Sequence, residues 1–257
     1  MNKKIKKILL KKNKSKIVSL TAYSKNIAQI LDKHVDIVLV GDSMANVLYG
    51  HKNTHEITLE NIIQHTLSVK MGVKKSLLVV DMPKNTYSNS KLALKNAKKI
   101  LKTTKCDAVK IENNRKNFTI IKKLTSSGIP VMGHIGFTPQ YINKFKAVTY
   151  SKKDEKKLMD DAFKIQKAGA FSMVIECVSA KISKKVTESL EIPTIGIGAS
   201  KFCDGQILVT DDLLGLSGFY PKFVKKYTNL KKIIEISIQK YRKDVLKKKF
   251  PNKGNSF

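Results

Sequence analysis

Apolar residues along this 257-residue chain fall into two alternating patterns. The first is a set of short β-branched runs, almost continuously apolar, that turn polar only at their C-terminal ends. They are Ile17–Tyr23, Asp36–Ser43, Ser76–Pro83, Asp107–Glu112, Pro130–Gly136, Phe171–Cys177, Pro193–Gly198 and Gly205–Thr210. Runs of this length and character predict strands covered on both faces. The second pattern lies between them. Lys25–His34, Leu59–Met71, Lys91–Thr104, Asn117–Ser127, Asp154–Ala168 and Ala180–Leu190 space apolar residues at i, i+3 and i+4, as one-sided helices do. Leu92, Ala93, Ala97, Ile100 and Leu101 trace one such stripe. Thr58 followed by Glu60 and Asn61 predicts a helix start, and Gly128 and Gly169 predict helix stops. A further helix is predicted from Leu230 to about Lys248. The polar tail after it, about 249–257 with Pro251 and Gly254, is predicted to fray.

Strands alternating with helices over this length predict an α/β fold, a (β/α)8 TIM barrel. The expectation is one barrel domain over 1–257, with a short basic N-terminal extension. A doubly wound open sheet fits the alternation less well. Its dinucleotide-binding form needs a Gly-rich turn straight after the first strand, and that strand ends Thr21-Ala22-Tyr23-Ser24. Gly196-Ile197-Gly198 is only a GxG, and it comes near the chain's end.

Composition narrows the class. No window approaches the roughly 18 consecutive apolar residues of a membrane span. The basic start, MNKKIKKILLKKNKSK, holds only Ile8-Leu9-Leu10 as an apolar run, too short for a secretion signal. A cytoplasmic protein is therefore expected. Cys106, Cys177 and Cys203 are far apart and form no CxxC, so neither a disulfide framework nor a zinc site is implied. Cys177 reads as a packed residue. His51 and His55 form an HxxxH, but the stretch reads as loop and makes a poor zinc helix.

The formal net charge is +30. Only Arg115 and Arg242 are arginines, so 48 of the 50 basic residues are lysines, spread along the chain. With 27 isoleucines and 16 asparagines, this resembles a chain shaped by an A/T-rich coding sequence. Nucleic-acid readers cluster their charge and favour arginine for bidentate contacts. A solvated lysine surface is expected instead, with no specific nucleic-acid partner and only a weak, salt-sensitive affinity for polyanions.

The chemistry sits where the strands end. Asp42 and Ser43 close the second run, Asp81 the third, Lys110 and Glu112 the fourth; His134 lies in the fifth and Glu176 in the sixth. In a parallel barrel all these ends open on one face, where such enzymes carry out their reactions. Any one carboxylate there could be a helix cap or a solvated turn. Four from four strands would repel one another, so a cation must offset them. Oxygen ligands suit Mg²⁺ or another hard divalent ion, with water and substrate completing its shell. Lys110 and Glu112 lie two residues apart and share a strand face. A buried lysine there should contact a carboxylate neighbour or a substrate anion. His134 is expected as a hydrogen-bond donor more than as a ligand.

The string TAYS, VGDSMANVLYGHKNT, DMP, KIE, GHIGFTPQ, IECV, IPTIGIGAS and CDGQILV resembles, in order, the ketopantoate hydroxymethyltransferase family. The match runs from about Ile17 to Tyr227. The resemblance implies a barrel of the phosphoenolpyruvate-binding superfamily type, assembled as a homo-oligomer, usually a decamer. It implies the first committed step of pantothenate synthesis: transfer of a hydroxymethyl group from 5,10-methylenetetrahydrofolate to 3-methyl-2-oxobutanoate. Carried over, the metal-site carboxylates fall on Asp42, Asp81 and Glu112, some acting through water. The keto-acid contacts fall on Asp42, Ser43, Asp81 and Lys110, with His134 beside the substrate, and the general base falls on Glu176. Folate needs an open, largely apolar slot, and the turn at Gly196–Ala199 allows close approach. The chain departs from the family pattern at Ser24, at Lys84-Asn85-Thr86, at Asn113-Asn114 and in KAVTYSKKDE after Phe145. These positions bear on folate contact and lid behaviour and lie outside the metal set. Two other readings remain: a basic nucleic-acid binder on a barrel scaffold, and a lyase or mutase acting on another 2-keto acid.

Overall fold

A computed structural model describes residues 2–114, 117–142, 151–218 and 220–256. Eight strands run β1 (Ile17–Thr21), β2 (Ile37–Val40), β3 (Leu77–Asp81), β4 (Ala108–Glu112), β5 (Val131–Gly136), β6 (Ser172–Glu176), β7 (Thr194–Ile197) and β8 (Gly205–Leu208). Each pairs in parallel with the next, and β8 returns to β1, closing a barrel. Closure excludes the open doubly wound sheet. Every strand lies inside its predicted run, trimmed by one to four residues in total at its ends.

The helices are α1 (Lys3–Leu10), α2 (Lys25–Leu31), α3 (Met44–Val47), α4 (Leu59–Gly72), α5 (Ser90–Thr104), α6 (Phe118–Ser126), α7 (Lys152–Lys167), α8 (Ala180–Ser189), α9 (Thr210–Leu213) and α10 (Leu230–Leu246). The start predicted at Thr58 is a capping box. The Thr58 hydroxyl accepts from the Asn61 backbone N–H, and the Asn61 side chain accepts from that of Thr58. The stops predicted at Gly128 and Gly169 have φ of +79° and +89°, which favour glycine. The contacts divide the chain into two compact units, Met1–Val209 and Thr210–Phe257. In the second unit α10 buries none of its residues, and Ile233, Ile234, Ile236, Ile238 and Tyr241 are exposed.

Strand parity sorts the barrel's side chains into two cores. Val38, Val40, Leu78, Val80, Val109, Ile111, Met173 and Ile175 point out and pack with the helices. Ile37, Leu39, Leu77, Val79, Ala108, Met132, Val174, Ile195 and Ile207 fill the interior.

The N-terminal segment, expected as a basic extension, is helical. Asn2 caps α1 by accepting from Lys4 N, and Ile5 and Ile8, each 2% exposed, join the interior core. The pattern was hidden because lysine surrounds a two-residue apolar stripe at i, i+3. Lys11 pairs with Asp36, and Lys12 pairs with Asp204 at 2.9 Å, tying the segment after α1 to the barrel.

Candidate active site

Interior parity continues past the apolar layers into the polar strand ends. On β3, Leu77 and Val79 are followed at the same spacing by Asp81; on β4, Ala108 by Lys110 and Glu112; on β5, Met132 by His134; on β6, Val174 by Glu176. Register then sets neighbours. Asp81 lies opposite Lys110, Glu112 opposite His134, and Gly136 opposite Glu176. The polar residues at the strand ends therefore meet side by side at the C-terminal mouth.

Two contact chains result. In the first, Lys110 Nζ donates to Asp81 Oδ1 at 2.6 Å, and the Asp42 backbone N–H donates to Asp81 Oδ2 at 3.1 Å. All three residues are at most 5% exposed. Burial works against the charge on Lys110, but Asp81, Asp42 and Glu112 outweigh it and hold its pKa above the usual lysine range. In the second, the His134 imidazole lies between two carboxylates. Nδ1 is 3.5 Å from Glu112 Oε1, and Nε2 is 3.2 Å from Glu176 Oε2. Neither nitrogen is aligned for a hydrogen bond, so these are charge contacts. Burial and Lys110 push the His134 pKa down, yet the two glutamates bring it up to about 9. Lys110 thus resolves to a carboxylate partner, while His134, expected as a hydrogen-bond donor, stands in charge contact with both glutamates.

Ser43 sits apart from both chains, its Oγ 2.8 Å from the hydroxyl of buried Tyr23. Close approach is enforced at Gly41, where an added Cβ would lie 2.8 Å from Ser43 Oγ and 3.5 Å from Asp81 Oδ2. At Gly136, φ is +92° and a Cβ would lie 2.2 Å from the Glu176 carbonyl oxygen, so only glycine lets β5 pass Glu176.

Asp42, Asp81, Glu112 and Glu176 outnumber Lys110 and His134 as charged groups. Burial first, then Asp81 and Glu112, raise the Asp42 pKa to about 8, against Lys110 and the Gln140 amide. A hard divalent cation fits this oxygen-rich, over-negative set. Among the described residues no three His, Cys, Asp or Glu side chains form a ready-made cage. The fit is therefore to a cation that keeps much of its shell as water and substrate.

Sequence reasoning passed over three buried residues: Gln140, which donates to Asp42 and Glu112; Tyr87, which donates to Gln140; and Asn117, which donates to the Glu112 backbone carbonyl. Gln140 lies inside the motif GHIGFTPQ, but no spacing rule singled it out. Of the departures, Ser24 precedes α2 without a side-chain cap bond, Lys84 Nζ lies 3.2 Å from His55 Nδ1, and Asn113 is buried. KAVTYSKKDE falls partly outside the described residues, which resume at Ser151, the capping residue of α7. Cys177, expected to be packed, is half-buried with φ +52°, and burial and Glu176 push its thiol up to about 12.

Comparison with known proteins gives one consistent result. The profile of the family described as ketopantoate hydroxymethyltransferase matches residues 2–253. Proteins named 3-methyl-2-oxobutanoate hydroxymethyltransferase are similar over essentially full length. That of Pelagibacter ubique is 53% identical over 100% of both chains, and that of Thermosipho africanus 47% identical over 98% of this chain and 97% of its own. Among solved structures, 2,3-dimethylmalate lyase, described as a PEP mutase/isocitrate lyase superfamily member, aligns with TM-score 0.63 at 13% identity, over 95% of this chain and 89% of its own. Phosphoenolpyruvate phosphomutase of Streptomyces platensis aligns with TM-score 0.66 at 10% identity, over 95% and 87%. At such identities the structural likeness speaks for the fold alone, a closed parallel (β/α)8 barrel.

Proposed function

This chain belongs to the ketopantoate hydroxymethyltransferase family, and on that premise we propose that it transfers a hydroxymethyl group from 5,10-methylenetetrahydrofolate to 3-methyl-2-oxobutanoate, giving 2-dehydropantoate for pantothenate synthesis. One arrangement supports the reading most. A carboxylate, Glu176, stands across a buried imidazole from a second carboxylate, beside a lysine–aspartate pair at the mouth of the barrel.

Glu176 is the base. His134 lies against its Oε2, leaving Oε1 to take the proton from C3 of the keto acid. Its side chain is 15% exposed, the most open of the four carboxylates, as a group that must reach substrate requires. Lys110 gives one of its three N–H donors to Asp81 and keeps two for the substrate carboxylate. Ser43, steadied by Tyr23, offers its backbone amide or hydroxyl to the same group. Asp42, Asp81 and Glu112 hold the divalent cation, directly or through water. When bound, Mg²⁺ supplies Lewis-acid stabilisation of the negative charge that builds on the keto acid as the proton leaves, worth several kcal/mol. One water adds to the bridging methylene as both of its bonds to folate nitrogens break, its two protons go to those nitrogens and tetrahydrofolate leaves; C3 bonds to the one-carbon unit so released, and the proton taken by Glu176 passes to that unit's oxygen to give the hydroxyl.

The protein is proposed to work in the cytoplasm as a homo-oligomer, for which the exposed isoleucines of α10 argue. No described helix is long and apolar enough to cross a membrane.

The deciding experiment is deuterium exchange at C3 of 3-methyl-2-oxobutanoate, followed by proton NMR without folate, first with Mg²⁺ and then with EDTA. Exchange that needs the metal is expected. No exchange with any divalent metal would overturn the reading and favour a lyase or mutase of another 2-keto acid. Adding methylenetetrahydrofolate then tests the transfer step alone.

A further inference from the structure

Gln140 follows Pro139 in the turn after β5 and is 1% exposed. Its backbone N–H and both ends of its side-chain amide are used. Its backbone N–H donates to Glu112 Oε2 at 3.0 Å. Its side-chain Nε2 donates to Asp42 Oδ2 at 2.8 Å and to the Met82 carbonyl at 3.1 Å. Its Oε1 accepts from the Tyr87 hydroxyl at 2.5 Å. One uncharged residue thus holds an oxygen of two carboxylates that come from β2 and β4, on opposite sides of β3.

The amide's orientation is determined, not free. The Met82 carbonyl and the Asp42 carboxylate accept, so Nε2 must face them, since the reversed amide would set Oε1 against two acceptors; Oε1 is left to accept from the Tyr87 phenol. Gln140 therefore occupies Asp42 Oδ2 and Glu112 Oε2, and leaves Asp42 Oδ1 and Glu112 Oε1 as the oxygens it does not hold. Two like-charged carboxylates in a dry site would otherwise turn apart. A merely space-filling glutamine would not need donors on both carboxylates and a third residue fixing its amide.

The geometry points to Gln140 as a positioning residue that, oriented by Tyr87, presets Asp42 and Glu112 for a divalent cation. This rests on the metal-dependent reading above. Partners that orient metal-binding side chains typically change metal affinity 10- to 100-fold when removed.

The test is Mg²⁺ binding by calorimetry without substrate, alongside thermal melting, for wild type, Gln140→Met and Tyr87→Phe. Methionine matches glutamine in length and keeps the backbone donor to Glu112 while removing the amide. The expected result is a Mg²⁺ Kd at least tenfold weaker for Gln140→Met and about threefold weaker for Tyr87→Phe. The Mg²⁺ concentration for half-maximal C3 exchange should rise by the same factors, with the rate at saturating Mg²⁺ changed much less. A folded Gln140→Met with unchanged Kd, even if its melting temperature falls, would overturn the inference and leave the metal reading standing. If Gln140→Met does not fold, Tyr87→Phe decides alone, and an unchanged Kd there has the same force. Wild type that binds no Mg²⁺ would remove the metal reading and this inference with it.

Discussion

Glu176 and Lys110 make different demands of the same site, and substitution separates them. Glu176→Gln keeps the shape but cannot accept the C3 proton, so exchange should fall by at least two orders of magnitude while Mg²⁺ still binds. Wild-type exchange in that variant would exclude Glu176 as the base. Lys110→Met removes a proposed substrate donor and acts on stability as well. It leaves Asp81 and Asp42 buried without their nearest cation, a loss on the order of 3 kcal/mol in urea denaturation at pH 7. High Mg²⁺ should restore part of it by binding the freed carboxylates. Both residues were legible in the sequence because each ends an apolar strand. Gln140 was not, because nothing in a Pro-Gln turn tells which carboxylates will lie above it.

At the scale of elements, loops and short helices do as much as the strands. Asp32, just after α2, accepts from Lys75 N and Ser76 N at 2.8–3.0 Å and so anchors the start of β3. Burial tends to raise its pKa, but those backbone N–H bonds prevail and lower it below the usual 3.8. A lowered folded-state pKa stabilises above the unfolded value, and that stability is lost as pH falls through the folded one. Asp32→Asn should therefore cost about 2 kcal/mol at pH 7. The gap from wild type should narrow as pH drops below about 4, and a gap independent of pH would refute the assignment. Helix α1 offers a second check. Ile8→Ala should destabilise by about 2–4 kcal/mol, as for a core isoleucine, although the segment reads as a basic tail. Strand and helix periods were readable because burial on both faces, or on one, leaves periods the eye can count. Helix α1 was not, because two buried isoleucines suffice when the surface they plug is contributed by eight strands.

For the whole molecule, the surface lysines and the exposed α10 pull against each other. A charge of +30 on each chain opposes association until salt screens it. Sedimentation in about 0.15 M salt should give a homo-oligomer, near ten times the 28.9 kDa chain if the family's usual decamer forms, with smaller species at low salt. Ile234→Glu with Ile238→Glu should shift the distribution to smaller species without altering C3 exchange by more than a few-fold. An unchanged distribution would exclude α10 from the assembly. The same lysine surface should bind polyanions only at low salt.

Eight apolar runs, their helices and the polar residues that end them were present in the linear order of residues, since hydrophobic period and strand-end chemistry are local properties. So was the family, through motifs such as GHIGFTPQ and GDS. Tertiary structure alone decided the rest. Parallel register set Asp81 beside Lys110 and Glu112 beside His134, because which residues face each other depends on strand stagger and not on sequence spacing. Closure of the barrel brought Gln140 within reach of carboxylates 28 and 98 residues away in the chain, and placed α1 against the interior core. Those contacts join residues that share no local pattern, so they exist only once the chain has folded.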